Sequence, residues 1–371
     1  MAHQTEQVTM QHERPLVHGA LDFAELAHLG FSPEEVCDFS VNINPYGPSP
    51  LVAQALARIP VERYPDRECL QLRQTLLQHE IQEQHITEEM LLCGNGTAEL
   101  IWAIARAYLS PQQKTAVLEP TFGEYRYAAQ ATGAQVIGLR ATLANVFAFD
   151  VDNVMRWLLD ERPALLWLCN PNNPTGSWLP LPDLHHLLDA CQESGTLLVV
   201  DEAYWHFLTP LRAFPSAITL LRDNAPLLVL RSLTKAYALA GVRLGYLVAA
   251  PEHVAHVRRQ LPSWNVNSFA QAAGCAAVAD QAHLEHTLHA LKEERLAFYQ
   301  ALQASGIPAL PSQTHFFLLH VEDATTVRSQ LLQRRLLVRD CTSFGLPEII
   351  RVATRPRRDW LRLLQALQEL L

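Results

Sequence analysis

The sequence predicts an α/β fold: a large domain on a mostly parallel sheet, followed by a small α+β domain. Three observations predict it. Short, fully apolar runs alternate with helical patterns through the middle of the chain, as strands covered on both faces do. The last third changes style, with a long amphipathic helix ahead of further strand-like pieces. The length of 371 residues, 49% hydrophobic and 18% charged, exceeds what one small core holds.

Taken in order, Met1 to Pro15 is polar and has no apolar stretch of the kind a secretory leader carries, so a frayed start is expected. Residues 18–50 are rich in Asn, Gly and Pro and are expected to cross to the small domain. Residues 51–265 form the large domain, with strands predicted at 90–93, 115–118, 135–139, 165–169, 196–200, 227–230 and 243–249. Residues 266–371 form the small domain: a helix over 282–304, strands at 315–321, 336–339 and 349–353, and a helix from Asp359. The stretch from Glu285 to Arg295 reads as a helix covering the lobe rather than a partner surface.

Composition excludes several function classes. A net charge of -9 is the wrong sign for a polyanion-binding surface, so no nucleic-acid partner is expected. No run of eighteen apolar residues occurs, so no membrane partner is expected either. The seven cysteines, Cys37, Cys69, Cys93, Cys169, Cys191, Cys275 and Cys341, include no CxxC pair and read as buried, reduced thiols of a cytoplasmic protein. His185 and His186 lack paired carboxylates at ligand spacing and read as surface residues, so no metal is expected.

The chemistry sits just after the predicted strands, where open α/β sheets bind ligands. After the first comes Gly94-Asn95-Gly96-Thr97, opening an apolar helix whose free N–H groups and dipole suit an anion. After the second, Phe122 is placed to stack on a flat ring. Asn170-Pro171-Asn172-Asn173-Pro174-Thr175-Gly176 brings amides to the next strand mouth, where Asn173 is able to donate to a phenolate-type oxygen. Asp201, leaving a buried strand, needs a cation, and a pyridinium nitrogen meets that need. Arg231-Ser232-Leu233-Thr234-Lys235 and Arg243 supply two hydroxyls and a guanidinium for a phosphate around an amine suited to a Schiff base.

These strings, NPxNPTG, then D-x-x-Y, then S-x-[ST]-K, then an Arg eight positions on, resemble the class I and II aminotransferases of fold type I over nearly the whole chain. The resemblance implies pyridoxal 5'-phosphate (PLP) as cofactor. Lys235 would hold it covalently, Asp201 would pair its ring nitrogen, and Tyr204 and Asn173 would contact the ring oxygen. Gly96, Thr97, Ser232, Thr234 and Arg243 would hold its phosphate. Tyr64, in Arg63-Tyr64-Pro65-Asp66, would reach the phosphate in the neighbouring subunit of a homodimer. Within the family the pattern is most similar to L-threonine-O-3-phosphate decarboxylases of cobalamin synthesis, then to histidinol-phosphate aminotransferases. His18-Gly19 and Asp38-Phe39-Ser40-Val41-Asn42-Ile43-Asn44-Pro45 carry the decarboxylase likeness, with departures at Ala20 and Leu21. By that likeness His18, Gly19, Asn42, Asn173, Arg339 and Arg351 would bind a phosphorylated amino-acid or amine substrate. A PLP-dependent lyase releasing CO2 is the expected activity, and transamination with 2-oxoglutarate is the alternative.

Overall fold

A computed structural model describes residues 19–81, 83–208, 213–222 and 225–371. Among them the strands run, in chain order, β1 Cys37–Asp38, β2 Leu91–Gly94, β3 Lys114–Glu119, β4 Gln135–Arg140, β5 Leu165–Cys169 and β6 Leu197–Asp201. They continue as β7 Leu227–Ser232, β8 Gly245–Ala249, β9 Phe316–His320, β10 Leu336–Leu337, β11 Arg339–Asp340 and β12 Ile349–Ala353. Seven form one sheet in the order β2-β8-β7-β6-β5-β3-β4. Only β8 opposes the others, pairing antiparallel with both β7 and β2.

Alternation at period two sends the side chains of each central strand to opposite faces, and both faces are apolar. Leu166, Leu168, Leu198, Val200 and Val229 meet helices carrying Leu158, Leu184 and Leu187. Leu165, Trp167, Val199, Leu228 and Leu230 meet helices carrying Leu100, Ile104 and Tyr125. Each fully buried large apolar side chain stabilises by roughly 1.5–3 kcal/mol, so these two layers fix the sheet and aim its strand ends. Crossover helices end where the residues demand it: Leu181–Ser194 stops at Gly195, whose φ of 73° suits a residue without Cβ, and the chain turns into β6.

The small lobe packs the antiparallel sheet β11-β12-β9 against helices Gln281–Ala304, Ala324–Gln333 and Arg357–Leu370 around Phe298, Phe317, Val352, Trp360 and Leu363. The early segment joins it: β1 pairs in parallel with β10, and Ala353 N donates to Phe39 O at 2.9 Å. The strand expected over 336–339 is two, because β10 pairs with β1 and β11 with β12, a change of partner that periodicity does not encode. The lobes meet along the helix Gln281–Ala304 rather than at a linker. Its Leu284, Leu288 and Leu291 lie in the large-lobe core, and its Phe298 and Leu302 lie in the small-lobe core. The preceding helix, Ser268–Ala279, also packs Ala270, Ala273 and Ala277 into the large lobe. Among the described residues no helix is long and apolar enough to cross a membrane, and His185 and His186 are exposed.

Candidate active site

Five strands of the large sheet deliver their carboxyl ends to one cavity. Its lining includes Asp201, Lys235 and Thr234, Phe122, Asn173 and Tyr204, and Thr97 with Arg243. Asp201 closes β6. Its Oδ2 accepts from the Tyr125 hydroxyl at 2.8 Å and its Oδ1 from Ala203 N at 3.0 Å. Burial pushes its pKa up to about 6, against these hydrogen bonds and the charge of Lys235. A carboxylate so placed gains most from a cation brought to it.

Lys235 follows β7 by three residues. Enclosure by protein, with the charges of Arg351 and Arg243, lowers its amine to about 8, and no carboxylate lies within ion-pair distance among the described residues. An amine held near neutrality is a ready nucleophile and proton carrier. Ser232 and Thr234 hydroxyls stand 2.6 Å apart beside it. Gly96 opens the helix Gly96–Tyr108 at a φ of 77°, and a Cβ there would meet Arg243 Nη2 at 2.8 Å. The helix start, the guanidinium and the hydroxyls thus form a cradle for an anion.

A second group of residues comes from the small lobe and the early segment. Asn42 donates to the Tyr204 hydroxyl at 3.4 Å, its Oδ1 having no partner among the described residues, and burial pushes Tyr204 up to about 12. Asn44 N donates to Lys235 O at 3.0 Å. Arg351 is buried, donates to Asn173 Oδ1 and, at 2.6 Å, to Ser40 O, and has no carboxylate within ion-pair distance among the described residues. Arg339 stands opposite it across the β11–β12 pair, donates to Ser343 Oγ at 2.6 Å, and is lowered to about 10 by burial and by Arg351. Two guanidiniums on facing residues repel, and an anion between the strands removes that cost. Gly19 lies against Arg351: a Cβ on it would meet Ser40 O at 2.3 Å and Arg351 Nη2 at 3.4 Å. Arg339 and Gly19 line an adjoining cleft that shares Phe122 with the cavity.

The structure therefore brings together Gly96, Thr97, Phe122, Asn173, Asp201, Tyr204, Ser232, Thr234, Lys235 and Arg243, with Gly19, Asn42, Arg339 and Arg351 beside them. Tyr64 stands apart from the site of its own chain, 80% exposed and packed at a tilt against Trp264, 4.8 Å between ring centroids. His18 lies outside the described residues. Sequence reasoning passed over Tyr125, although it stands in the aromatic stretch after β3. Its first-turn position in the helix Glu124–Gln130 and its stacking on Trp167 at 5.3 Å aim its hydroxyl at Asp201.

The sequence matches the family described as aminotransferase class I and II over residues 34–367. The chain belongs to that family. The class I and II aminotransferase cofactor is pyridoxal 5'-phosphate, and the site fits it: a buried carboxylate short of a cation, a lowered lysine amine, and a helix start that the Arg243 guanidinium approaches so closely that only a residue without Cβ leaves it room. Among relatives in the family, a threonine-phosphate decarboxylase of Salmonella typhimurium is 36% identical over 350 residues, 92% of this chain and 93% of that one. A histidinol-phosphate aminotransferase of Moorella thermoacetica is 34% identical over 342 residues, 91% of this chain and 86% of that one. Among solved structures, the histidinol-phosphate aminotransferase of Sinorhizobium meliloti in complex with pyridoxal-5'-phosphate superposes with a TM-score of 0.85 at 24% identity, covering 98% of each chain.

Proposed function

We propose that the protein is a PLP-dependent decarboxylase of L-threonine O-3-phosphate, giving (R)-1-amino-2-propanol O-2-phosphate for the side chain of cobalamin. The observation that carries this reading is the wedging of the early segment into the site. The residues of the decarboxylase-like pattern are the ones that touch it: Ser40 on Arg351, Asn42 on Tyr204 and Asn44 on Lys235. The threonine-phosphate decarboxylase relative, matched over nearly its full length, supports the same reading.

In this assignment Lys235 would carry the cofactor covalently, Asp201 would pair with its ring nitrogen, and Tyr204 and Asn173 would contact its ring oxygen. Gly96, Thr97, Ser232, Thr234 and Arg243 would hold its phosphate, with Phe122 placed to stack on the ring. When bound, PLP supplies an electron sink for a bond broken at the substrate's α-carbon. The rest belongs to the chain. Arg351 and Arg339, with Gly19, Asn42 and His18, hold the substrate's carboxylate and phosphate and so fix which α-carbon bond is presented for cleavage. Lys235, once the substrate's amine has displaced it from the cofactor, would be the free amine placed to deliver a proton to the α-carbon after CO2 has left.

The same residues serve transamination when the Cα–H bond is presented instead, and the 34% identical relative favours that second reading: a histidinol-phosphate-type aminotransferase using 2-oxoglutarate. The deciding experiment incubates PLP-loaded protein with L-threonine O-3-phosphate and no keto acid. Catalytic CO2 release with formation of the amine phosphate is the expected result. No release, with keto product from histidinol phosphate once 2-oxoglutarate is present, replaces the first reading by the second.

The reading includes a homodimer in which Tyr64 reaches the neighbouring site. Its support is an exposed apolar surface around that residue: Tyr64 and Val61 are 80% and 79% exposed, and Trp264 beside them is 46% exposed. Large exposed aromatic and aliphatic groups clustered in this way mark a surface that a partner covers.

A further inference from the structure

Behind the cofactor side of the sheet lies a second buried polar cluster that the chemistry above does not use. Glu80 follows the helix Leu70–His79 and is almost wholly enclosed. Its Oε2 accepts from the Tyr237 hydroxyl at 2.5 Å. Its Oε1 accepts from the Tyr246 hydroxyl at 3.1 Å and lies 2.6 Å from His206 Nε2 and 3.4 Å from Arg231 Nη1. Arg231 in turn donates from Nε to Glu202 Oε2 at 2.7 Å and stacks over Trp205 at 3.8 Å. Glu202 also accepts from Ser216 Oγ and Ala217 N, each at 2.7 Å.

Four of these anchors are close chain neighbours of site residues. Glu202 follows Asp201, His206 lies two past Tyr204, Arg231 precedes Ser232, and Tyr237 lies two past Lys235. Arg231 and Ser232 are adjacent in β7 and so point to opposite sides, one to the cluster and the next to the cavity, while His206 and Tyr237 lie in the short turns that follow Tyr204 and Lys235 and tie those turns to the cluster. Burial alone would raise the Glu80 carboxyl. The charges of His206 and Arg231, with the hydrogen bonds of His206 and Tyr237, outweigh it and bring the group down to about 2. The carboxylate thus stays ionised and draws donors from four separate segments to one point. A buried ion network of this kind gains little stability over apolar packing of the same volume. Placement of the segments it joins is what it provides.

We propose that Glu80 is a positioning residue which, through Tyr237 and His206, holds the segments carrying Lys235 and Tyr204 in register with the strand ends. This rests on the assignment of Lys235 as the cofactor lysine. The test compares wild type, Glu80→Gln, Tyr237→Phe and, as a plain packing defect in the same lobe, Val257→Ala, all as PLP-loaded protein. Four quantities are read: PLP affinity, the visible circular dichroism of bound PLP, kcat against KM, and Tm. Glu80→Gln and Tyr237→Phe are expected to weaken PLP binding by about tenfold, the lower end of what losing a supporting partner behind a metal-ligating residue costs in metal affinity. They should also shrink the visible dichroism, which reports how rigidly the ring is held, and lower kcat with KM unchanged. Val257→Ala should lower Tm alone. If Glu80→Gln and Tyr237→Phe behave as Val257→Ala does, the cluster is structural only and the proposal falls. Tyr237→Phe decides by itself where Glu80→Gln gives no folded protein. A wild type that takes up no PLP would overturn the site assignment and this proposal together.

Discussion

At Lys235 and Asp201 the same enclosure acts in opposite directions, lowering an amine and raising a carboxyl, because it penalises whichever form carries charge. Lys235→Ala should abolish the visible absorbance of covalently held PLP and lower turnover by about 10³-fold or more, the scale of a lost proton-transfer group; retention of both would show that another lysine holds the cofactor. Asp201 sets a pH dependence. Its folded pKa, about 6, lies above the ordinary carboxylate value, so in cofactor-free protein its contribution to stability is full at low pH and is lost as pH rises through about 6. A cation facing the carboxylate removes that loss. The Tm gain on adding PLP should therefore grow as pH rises through this window, and a gain independent of pH would show that Asp201 meets no cation.

At the scale of elements, the start of the helix Gly96–Tyr108 does the most with the least. A positive φ at Gly96 costs an L-residue about 1–2 kcal/mol, and the added methyl would press on Arg243. Gly96→Ala should consequently displace the guanidinium and weaken PLP binding, measured by titration of cofactor-free protein, by more than it lowers Tm. Equal PLP affinity in the variant would remove this turn from the phosphate cradle. The helix Gln281–Ala304 plays a different part, since its two halves sit in two cores and join the lobe that bears Arg339 and Arg351 to the lobe of the large sheet.

For the whole molecule, the site is an assembly of large lobe, small lobe and early segment, and in the proposed dimer a second copy completes it through Tyr64. Mixing two impaired proteins tests this. Lys235→Ala and Tyr64→Ala homodimers, dissociated and reassociated together, should form hybrids in which one site has its lysine from one subunit and its tyrosine from the other. Activity should then reappear in the mixture, and activity no greater than the sum of the separate variants would place Tyr64 outside any shared site.

By itself the sequence determined the alternation of strands and helices, the ends of the large-sheet strands to within two residues, and the order of Asn173, Asp201, Tyr204, Ser232, Thr234 and Lys235 along the chain. These are local properties: an apolar run of five residues and the turn that stops it are written in consecutive positions. Only the tertiary structure decided what meets across distance. Tyr125 reaches Asp201 from 76 residues away, Asn42 reaches Tyr204 from 162, and Glu80 gathers Tyr237, Tyr246, His206 and Arg231 from segments more than 120 residues further on. The change of partner at residues 336–340, which sets Arg339 opposite Arg351, belongs with them. Such contacts arise from packing two lobes along one helix, and no periodicity within a single segment carries information about which other segment it will touch.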